Sequence, residues 1–292
     1  MLTGLPNIGN TCYMNSAIQL LLGYRVIVNF LKSNNLDDNN LNIYKKFIND
    51  YENNKPNPQD VKNILQKKNS EFMGYGQNDA HECLIELLDI IENGIINEEK
   101  IRNNNNKEIM IMNMPITKLL DAILNFKLKS CIKCANCNYI SETLIREKII
   151  SLPITPTTNN LQDCLNEFEK GEILDDNNKW KCDKCHQYVN GYKWFNIQKY
   201  PKYMTFHLKR FINLNGTYSK NNKIIEMPLT IKINDNQYEL RSYVYHSGNI
   251  NGGHYVDYTK FKNNYYLLND SSISENNFNS KNNGYIFMYV KI

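Results

Sequence analysis

Gly4-Leu5-Pro6-Asn7-Ile8-Gly9-Asn10-Thr11-Cys12-Tyr13-Met14-Asn15-Ser16 is the stretch on which the reading of this chain turns. Pro6, Gly9 and Asn10 are turn residues. From Tyr13 onward the period changes: Met14, Ala17, Ile18, Leu21 and Leu22 recur at helical spacing, and Gly23 offers a stop. The spacing predicts a helix over 13–22, with Cys12 where the turn gives way to it. A thiolate there would face free backbone N–H groups and the positive end of the helix dipole, which lower a thiol pKa. Position alone still favours a buried, inert cysteine over a reactive one.

Working outward, residues 79–92 repeat the helical pattern, with Leu84, Leu87, Leu88 and Ile91 on one face. The second half of the chain changes period. Met204, Phe206 and Leu208 alternate with Thr205, His207 and Lys209, as in a half-buried strand. Residues 239–246, 254–260, 264–269 and 285–291 are strand-like too, with many Tyr and Val. Helices followed by an antiparallel region predict an α+β protein. Asn-rich stretches at about 33–58, 97–108, 213–223 and 276–283 read as surface loops, among them the run Asn103-Asn104-Asn105-Asn106.

The bulk numbers exclude more than they assign. A chain of 292 residues with 41% hydrophobic content can bury a substantial core, as one large domain or two. A net charge of +4 is weak for this length and gives no support to nucleic-acid binding. The start, Met1-Leu2-Thr3-Gly4-Leu5-Pro6, lacks the basic residues and apolar run of a signal peptide. Residues 1–24 carry no charge, but Asn7, Asn10, Thr11, Asn15, Ser16 and Gln19 make membrane insertion costly. The expectation is a soluble, monomeric, intracellular protein of the cytoplasm or nucleus, in a reducing compartment. Grouped cysteines there mean metal or catalysis rather than disulfides; the eight here are at positions 12, 83, 131, 134, 137, 164, 182 and 185.

A base for Cys12 is offered by His246-Ser247-Gly248-Asn249-Ile250-Asn251-Gly252-Gly253-His254-Tyr255. Paired glycines before a histidine at a strand start permit close approach of another chain. A third group must fix the imidazole tautomer. Asn269 and Asp270 end the next strand-like segment, so a hairpin would bring one of them to His254.

Together these segments resemble the Cys box and His box of the ubiquitin-specific proteases. The likeness runs from Gly4 to about Val290 and takes in Gln77-Asn78-Asp79-Ala80-His81-Glu82 and Leu208-Lys209-Arg210-Phe211. It implies a single catalytic domain with a papain-like architecture of thumb (about 1–115), fingers (about 125–200) and palm (about 200–292). Inserted fingers would explain a Cys-to-His gap far beyond the roughly 130–150 residues of simpler papain-like enzymes.

The implied reaction is deubiquitination through a Cys12 thioester. His254 holds the thiolate, which attacks the carbonyl of ubiquitin's C-terminal glycine. The resemblance assigns Asn7, with the Cys12 backbone N–H, to the oxyanion; one such donor is worth about 3 kcal/mol. It puts Asn269 in the orienting slot and Asp270 in a supporting one.

Cys134-Ala135-Asn136-Cys137 and Cys182-Asp183-Lys184-Cys185 are two C-x-x-C knuckles, a set that suits tetrahedral zinc. The resemblance places one such zinc at the fingertips. Four protein ligands leave no position for water, so it would be structural, and catalysis would need no cofactor. Cys131 and His186 lie close enough in sequence to be alternative ligands.

For the substrate tail, Asp79 and Glu82, three apart on one expected helical face, match positions that pair with arginines and backbone. His81, Tyr255, Gly253 and His246, the last at a blocking-loop position, match further contacts. Cys83 stands where the family usually has Phe. Ubiquitin and ubiquitinated proteins are the implied partners. The rival readings are a protease for a ubiquitin-like modifier, a catalytically weak ubiquitin-binding module, and a zinc-knuckle nucleic-acid binder.

Overall fold

The computed structural model describes residues 2–104, 110–111, 114–214, 217–249 and 252–292. Asn105 and Asn106 of the Asn run, and Ile250 and Asn251 of the His254 segment, lie outside the described residues. Among the described residues the α-helices are α1 (Cys12–Leu21), α2 (Arg25–Ser33), α3 (Asn39–Glu52), α4 (Gln59–Lys68), α5 (Ala80–Asn104), α6 (Ile116–Leu124) and α7 (Leu161–Lys170). The strands of the two main sheets are β1 (Phe126–Cys134), β2 (Ile140–Glu147), β3 (Ile149–Leu152), β4 (Glu172–Leu174), β5 (Gly191–Lys199), β6 (Tyr203–Leu208) and β7 (Thr230–Ile233). They continue with β8 (Asn236–Asn249), β9 (Gly252–Phe261), β10 (Asn264–Asn269), β11 (Ser272–Asn276) and β12 (Ile286–Lys291).

Two of the stretches expected to be loops contain helix. Beneath the asparagines of α3, Leu41, Tyr44, Phe47, Ile48 and Tyr51 form a buried stripe at helical spacing. Asp38 caps it, its Oδ1 accepting from the Leu41 N–H at 3.0 Å. In the same way α5 carries the 97–108 stretch onward to Asn104. Of the other two, residues 217–220 pair with 211–214, and 281–282 pair with 225–226. Asparagine marks the wet face of an element as readily as its absence.

The α+β expectation holds: a helical thumb packs on one face of an eight-stranded sheet of order β11-β10-β9-β8-β12-β6-β3, with β7 on β8. Neighbours are antiparallel except β3 and β6. Residues 149–152, inside the span expected for the fingers, thus join the palm sheet. The fingers themselves are an antiparallel sheet of order β2-β1-β5-β4.

Strand β6 departs from the half-buried reading: all six residues are buried. Met204, Phe206 and Leu208 enter the core beneath the palm. The opposite face is covered by the thumb, where the Tyr24 and Thr205 hydroxyls bond at 2.6 Å and the Tyr203 hydroxyl accepts from the Val26 N–H at 3.1 Å. The strand keeps its alternation yet is covered on both faces, because its polar side finds hydrogen-bond partners such as Tyr24 in the thumb.

No single helix among the described residues is long and apolar enough to cross a membrane. The pair α1 and α2 passes that test only together, across an 82° bend, and every residue of α1 is buried in the protein.

Candidate active site and metal centre

Cys12 opens α1 as expected, and its side chain is closed in, 3% exposed. The sulfur faces the backbone N–H of Tyr255 on β9 as well as N–H groups of its own helix start. The expectation of a lowered thiol pKa is overturned. Burial pushes the Cys12 thiol up, the Asp270 carboxylate pushes the same way, and the N–H groups that pull it down are outweighed. The helix start does favour the thiolate, but a desolvated sulfur costs more than those dipoles return.

β9 and β10 form the expected hairpin, with Asp257 opposite Leu268. It carries His254 to Asn269, whose Oδ1 lies 2.6 Å from His254 Nε2. With the amide oxygen as acceptor, the proton sits on Nε2 and the Nδ1 lone pair is left for an acid. Among the described residues, no hydrogen bond joins His254 to Cys12.

Asp270 does not reach the imidazole. Its Oδ2 accepts from Asn7 Nδ2 at 2.9 Å and its Oδ1 from Asn15 Nδ2 at 2.7 Å, while its backbone oxygen accepts from the Leu5 N–H at 2.8 Å. Its left-handed backbone, φ 47°, is one that Asp tolerates better than most residues. Asn7 is held from the other end too, Oδ1 accepting from the Gly9 and Thr11 N–H groups. Asn7 Nδ2 therefore has a fixed direction and one hydrogen left over. Asn15, which sequence reading passed over, is buried and ties α1 to this turn. Its only signal was a polar residue on a buried helix face.

A cleft of about 400 Å³ leads along the β9 edge, lined by Asn78, Asp79, Glu82, Phe211, His246, Gly253 and Tyr255. Asp79 and Glu82 line the cleft together, but Asp79 stands one residue before α5 rather than on its face. It caps α5, Oδ1 accepting from the His81 N–H at 2.7 Å and the Glu82 N–H at 3.3 Å. Its Oδ2 accepts from the Tyr285 hydroxyl at 2.5 Å and the Tyr255 hydroxyl at 3.5 Å. Glu82 is exposed, with its carboxyl pushed up by partial burial and by Asp79 and Glu71.

His246 lies within β8, opposite Tyr255, rather than in a loop. It is 4% exposed, packed between Phe211 and Tyr255, and burial holds its pKa down at about 4. Gly253 is required beneath it, because a Cβ there would stand 2.1 Å from His246 Nε2. His81 also points inward and stacks on His207 with ring centroids 3.8 Å apart. Burial lowers the pKa of both. Cys83 is fully buried in the thumb core, where burial pushes its thiol well up.

At the fingertip, Cys134, Cys137, Cys182 and Cys185 bring all four Sγ atoms within 4.8 Å of one another. Two pairs measure 3.9 Å (Cys134–Cys185) and 3.7 Å (Cys137–Cys182). Zn–S bonds of about 2.3 Å at tetrahedral angles put sulfurs about 3.8 Å apart, so this donor set fits such an ion. Each knuckle turns through a left-handed residue, Asn138 and His186. Cys131 lies outside the cluster, its Sγ toward Glu142. His186 is no part of it either.

Comparison with known proteins gives the family. Residues 3–289 match the family model described as ubiquitin carboxyl-terminal hydrolase. Ubiquitin carboxyl-terminal hydrolase 21 of Homo sapiens is 26% identical over 98% of this chain and 61% of that protein. Ubiquitin carboxyl-terminal hydrolase 2 of Bos taurus is 30% identical over 94% of this chain and 52% of that one. The chain thus spans between half and two thirds of the length of these relatives. Among solved structures, the SAGA Ubp8/Sgf11/Sus1/Sgf73 DUB module bound to ubiquitin aldehyde superposes with a TM-score of 0.78 at 26% identity, covering 100% of this chain and 70% of that one.

Proposed function

The chain belongs to the ubiquitin carboxyl-terminal hydrolase family, and from that premise we propose that it is a thiol-dependent deubiquitinase with Cys12 as nucleophile. One observation carries the reading: a β-hairpin holds His254 on Asn269 at 2.6 Å while the next residue, Tyr255, turns its backbone N–H to the Cys12 sulfur.

With Nε2 committed to Asn269, His254 Nδ1 takes the proton of Cys12. Burial pushes that thiol up and the helix start alone does not outweigh it, so His254 must supply the proton acceptor. The thiolate attacks the carbonyl carbon of ubiquitin's C-terminal glycine. The free hydrogen of Asn7 Nδ2 and the Cys12 backbone N–H serve the oxyanion, and Asp270 keeps Asn7 aimed. His254 then gives its proton to the leaving amine, and water hydrolyses the thioester. Glu82 offers its carboxylate to the basic tail of ubiquitin along the cleft.

The four fingertip cysteines would hold one Zn²⁺, whose role would be to cross-link the ends of the fingers, with all four ligands supplied by protein. The hydrolysis needs no metal.

The test is release of fluorophore from a ubiquitin C-terminal amide. Cys12→Ala should lower the rate at least a thousandfold while ubiquitin binding survives. Robust turnover by the variant would remove Cys12 from its role.

A further inference from the structure

β9 is unequally supported along its length. The β9–β10 ladder starts at Asp257 opposite Leu268, so the stretch Gly252–Val256 extends beyond it. On that open edge Gly253 and Tyr255, two apart, turn their backbone groups the same way. The Tyr255 N–H faces Cys12, and the Gly253 groups face Gln77. Gln77 Nε2 donates to the Gly253 oxygen at 2.9 Å, and the Gly253 N–H donates to Gln77 Oε1 at 3.1 Å. A side-chain amide here takes the place of a strand neighbour, reaching from the thumb segment before α5 across to the palm.

The stretch it holds is laddered on one side only, to β8. Gly252 and Gly253 follow one another, and Gly253 pairs across the ladder with Gly248, which has φ 95°. Glycine at three positions leaves the backbone free to adopt many conformations. His254 comes next in the chain, and its distance to Cys12 depends on where this end of β9 sits relative to α1. Asn269 fixes the far side of the imidazole and the direction it faces, but not the separation of thumb and palm.

We propose that Gln77 is a positioning residue for His254, locking the glycine-rich end of β9 to the thumb so that the imidazole lies within reach of Cys12. The inference rests on the reading of Cys12 and His254 as nucleophile and base. A misplacement of about 1 Å at a reacting group can cost about a hundredfold in rate. The effect should therefore fall on kcat, not on substrate affinity.

Two readouts on Gln77→Ala and Gln77→Glu test it: steady-state kinetics on a ubiquitin C-terminal amide, and the pH dependence of Cys12 alkylation by iodoacetamide without ubiquitin. His254→Ala is the alkylation reference. Gln77→Ala should lower kcat ten- to a hundredfold with KM within about twofold, and move the alkylation profile in the same direction as His254→Ala. Gln77→Glu keeps the acceptor for the Gly253 N–H but turns a lone pair toward its oxygen. Its activity relative to wild type should recover on acidification, when the carboxyl regains a donor hydrogen. A Gln77→Ala enzyme with raised kcat/KM would make the bridge a latch over the cleft and overturn the proposal. So would an alkylation profile identical to wild type, even alongside a lower melting temperature. If wild type alkylates in a His254-dependent way yet hydrolyses no ubiquitin amide, the substrate assignment fails, and the alkylation arm still judges Gln77.

Discussion

The fingertip and the cleft both depend on cysteine sulfur, and the structure prepares them in opposite ways. Four fingertip thiols converge with two pairs already at the spacing a tetrahedral ion demands. The single cleft thiol is buried, its pKa is pushed up by that burial, and no hydrogen bond joins it to His254 among the described residues. A bound metal is a permanent ligand, so the fold can be built around its geometry. On the proposed reading the nucleophile must pass from thiol to thiolate to thioester, so its surroundings aim a base and oxyanion donors without clamping the sulfur. One site is assembled; the other is aimed.

Separating the two sites gives the largest expected effect. Cys182→Ser should abolish stoichiometric metal, read by elemental analysis, and lower the melting temperature, because structural zinc supplies folding energy directly. Loss of metal without loss of stability would show that the fingers hold themselves together. Hydrolysis by protein that remains folded should persist, since no step uses the metal.

Within the cleft, Asn269→Ala should lower kcat/KM on the order of a hundredfold by freeing the imidazole to rotate. Asp270→Asn should cost less, about tenfold, since it loosens Asn7 and Asn15 without touching His254. Asparagine also accepts the left-handed backbone there. The reverse order in steady-state kinetics would make Asp270 the group that matters to the base.

A smaller effect divides the acidic residues of the cleft. Glu82→Lys should raise KM for ubiquitin about tenfold with kcat little changed, and less so in high salt, as for uniform binding of a charged tail. Asp79→Ala should act on stability instead, costing about 1 kcal/mol as a lost helix cap in thermal or denaturant melts. Equal KM effects from both would restore the view that they grip the tail as a pair.

The legibility of these features in the sequence followed how local their causes are. Cys12 at a helix start, the hairpin that brings His254 to Asn269 fifteen positions on, and the two knuckles each show within a short stretch of chain. They were readable because turn chemistry and strand period are short-range. The spacing of Asp79 to Glu82 is the same whether Asp79 caps the helix or lies on it; the cap bonds and the distant Tyr285 hydroxyl show which. The Cys12 pKa went the wrong way for a related reason. The dipole is a property of ten residues, whereas the burial that outweighs it comes from β9 and its neighbours. Helix α3 was hidden by composition, its apolar stripe diluted among asparagines. Gln77 lay within a motif already noticed, yet nothing in the motif says that its partner is a backbone amide on the palm.

The most direct measurement of the central claim is covalent capture. Ubiquitin carrying a thiol-reactive electrophile at its C-terminus, mixed with wild-type protein and followed by intact-mass and peptide-mapping spectrometry, should give one adduct per chain, attached at Cys12. His254→Ala should slow its formation. No adduct, or one spread over Cys131, Cys164 and the fingertip thiols, would contradict the assignment of Cys12 as the nucleophile of a deubiquitinase.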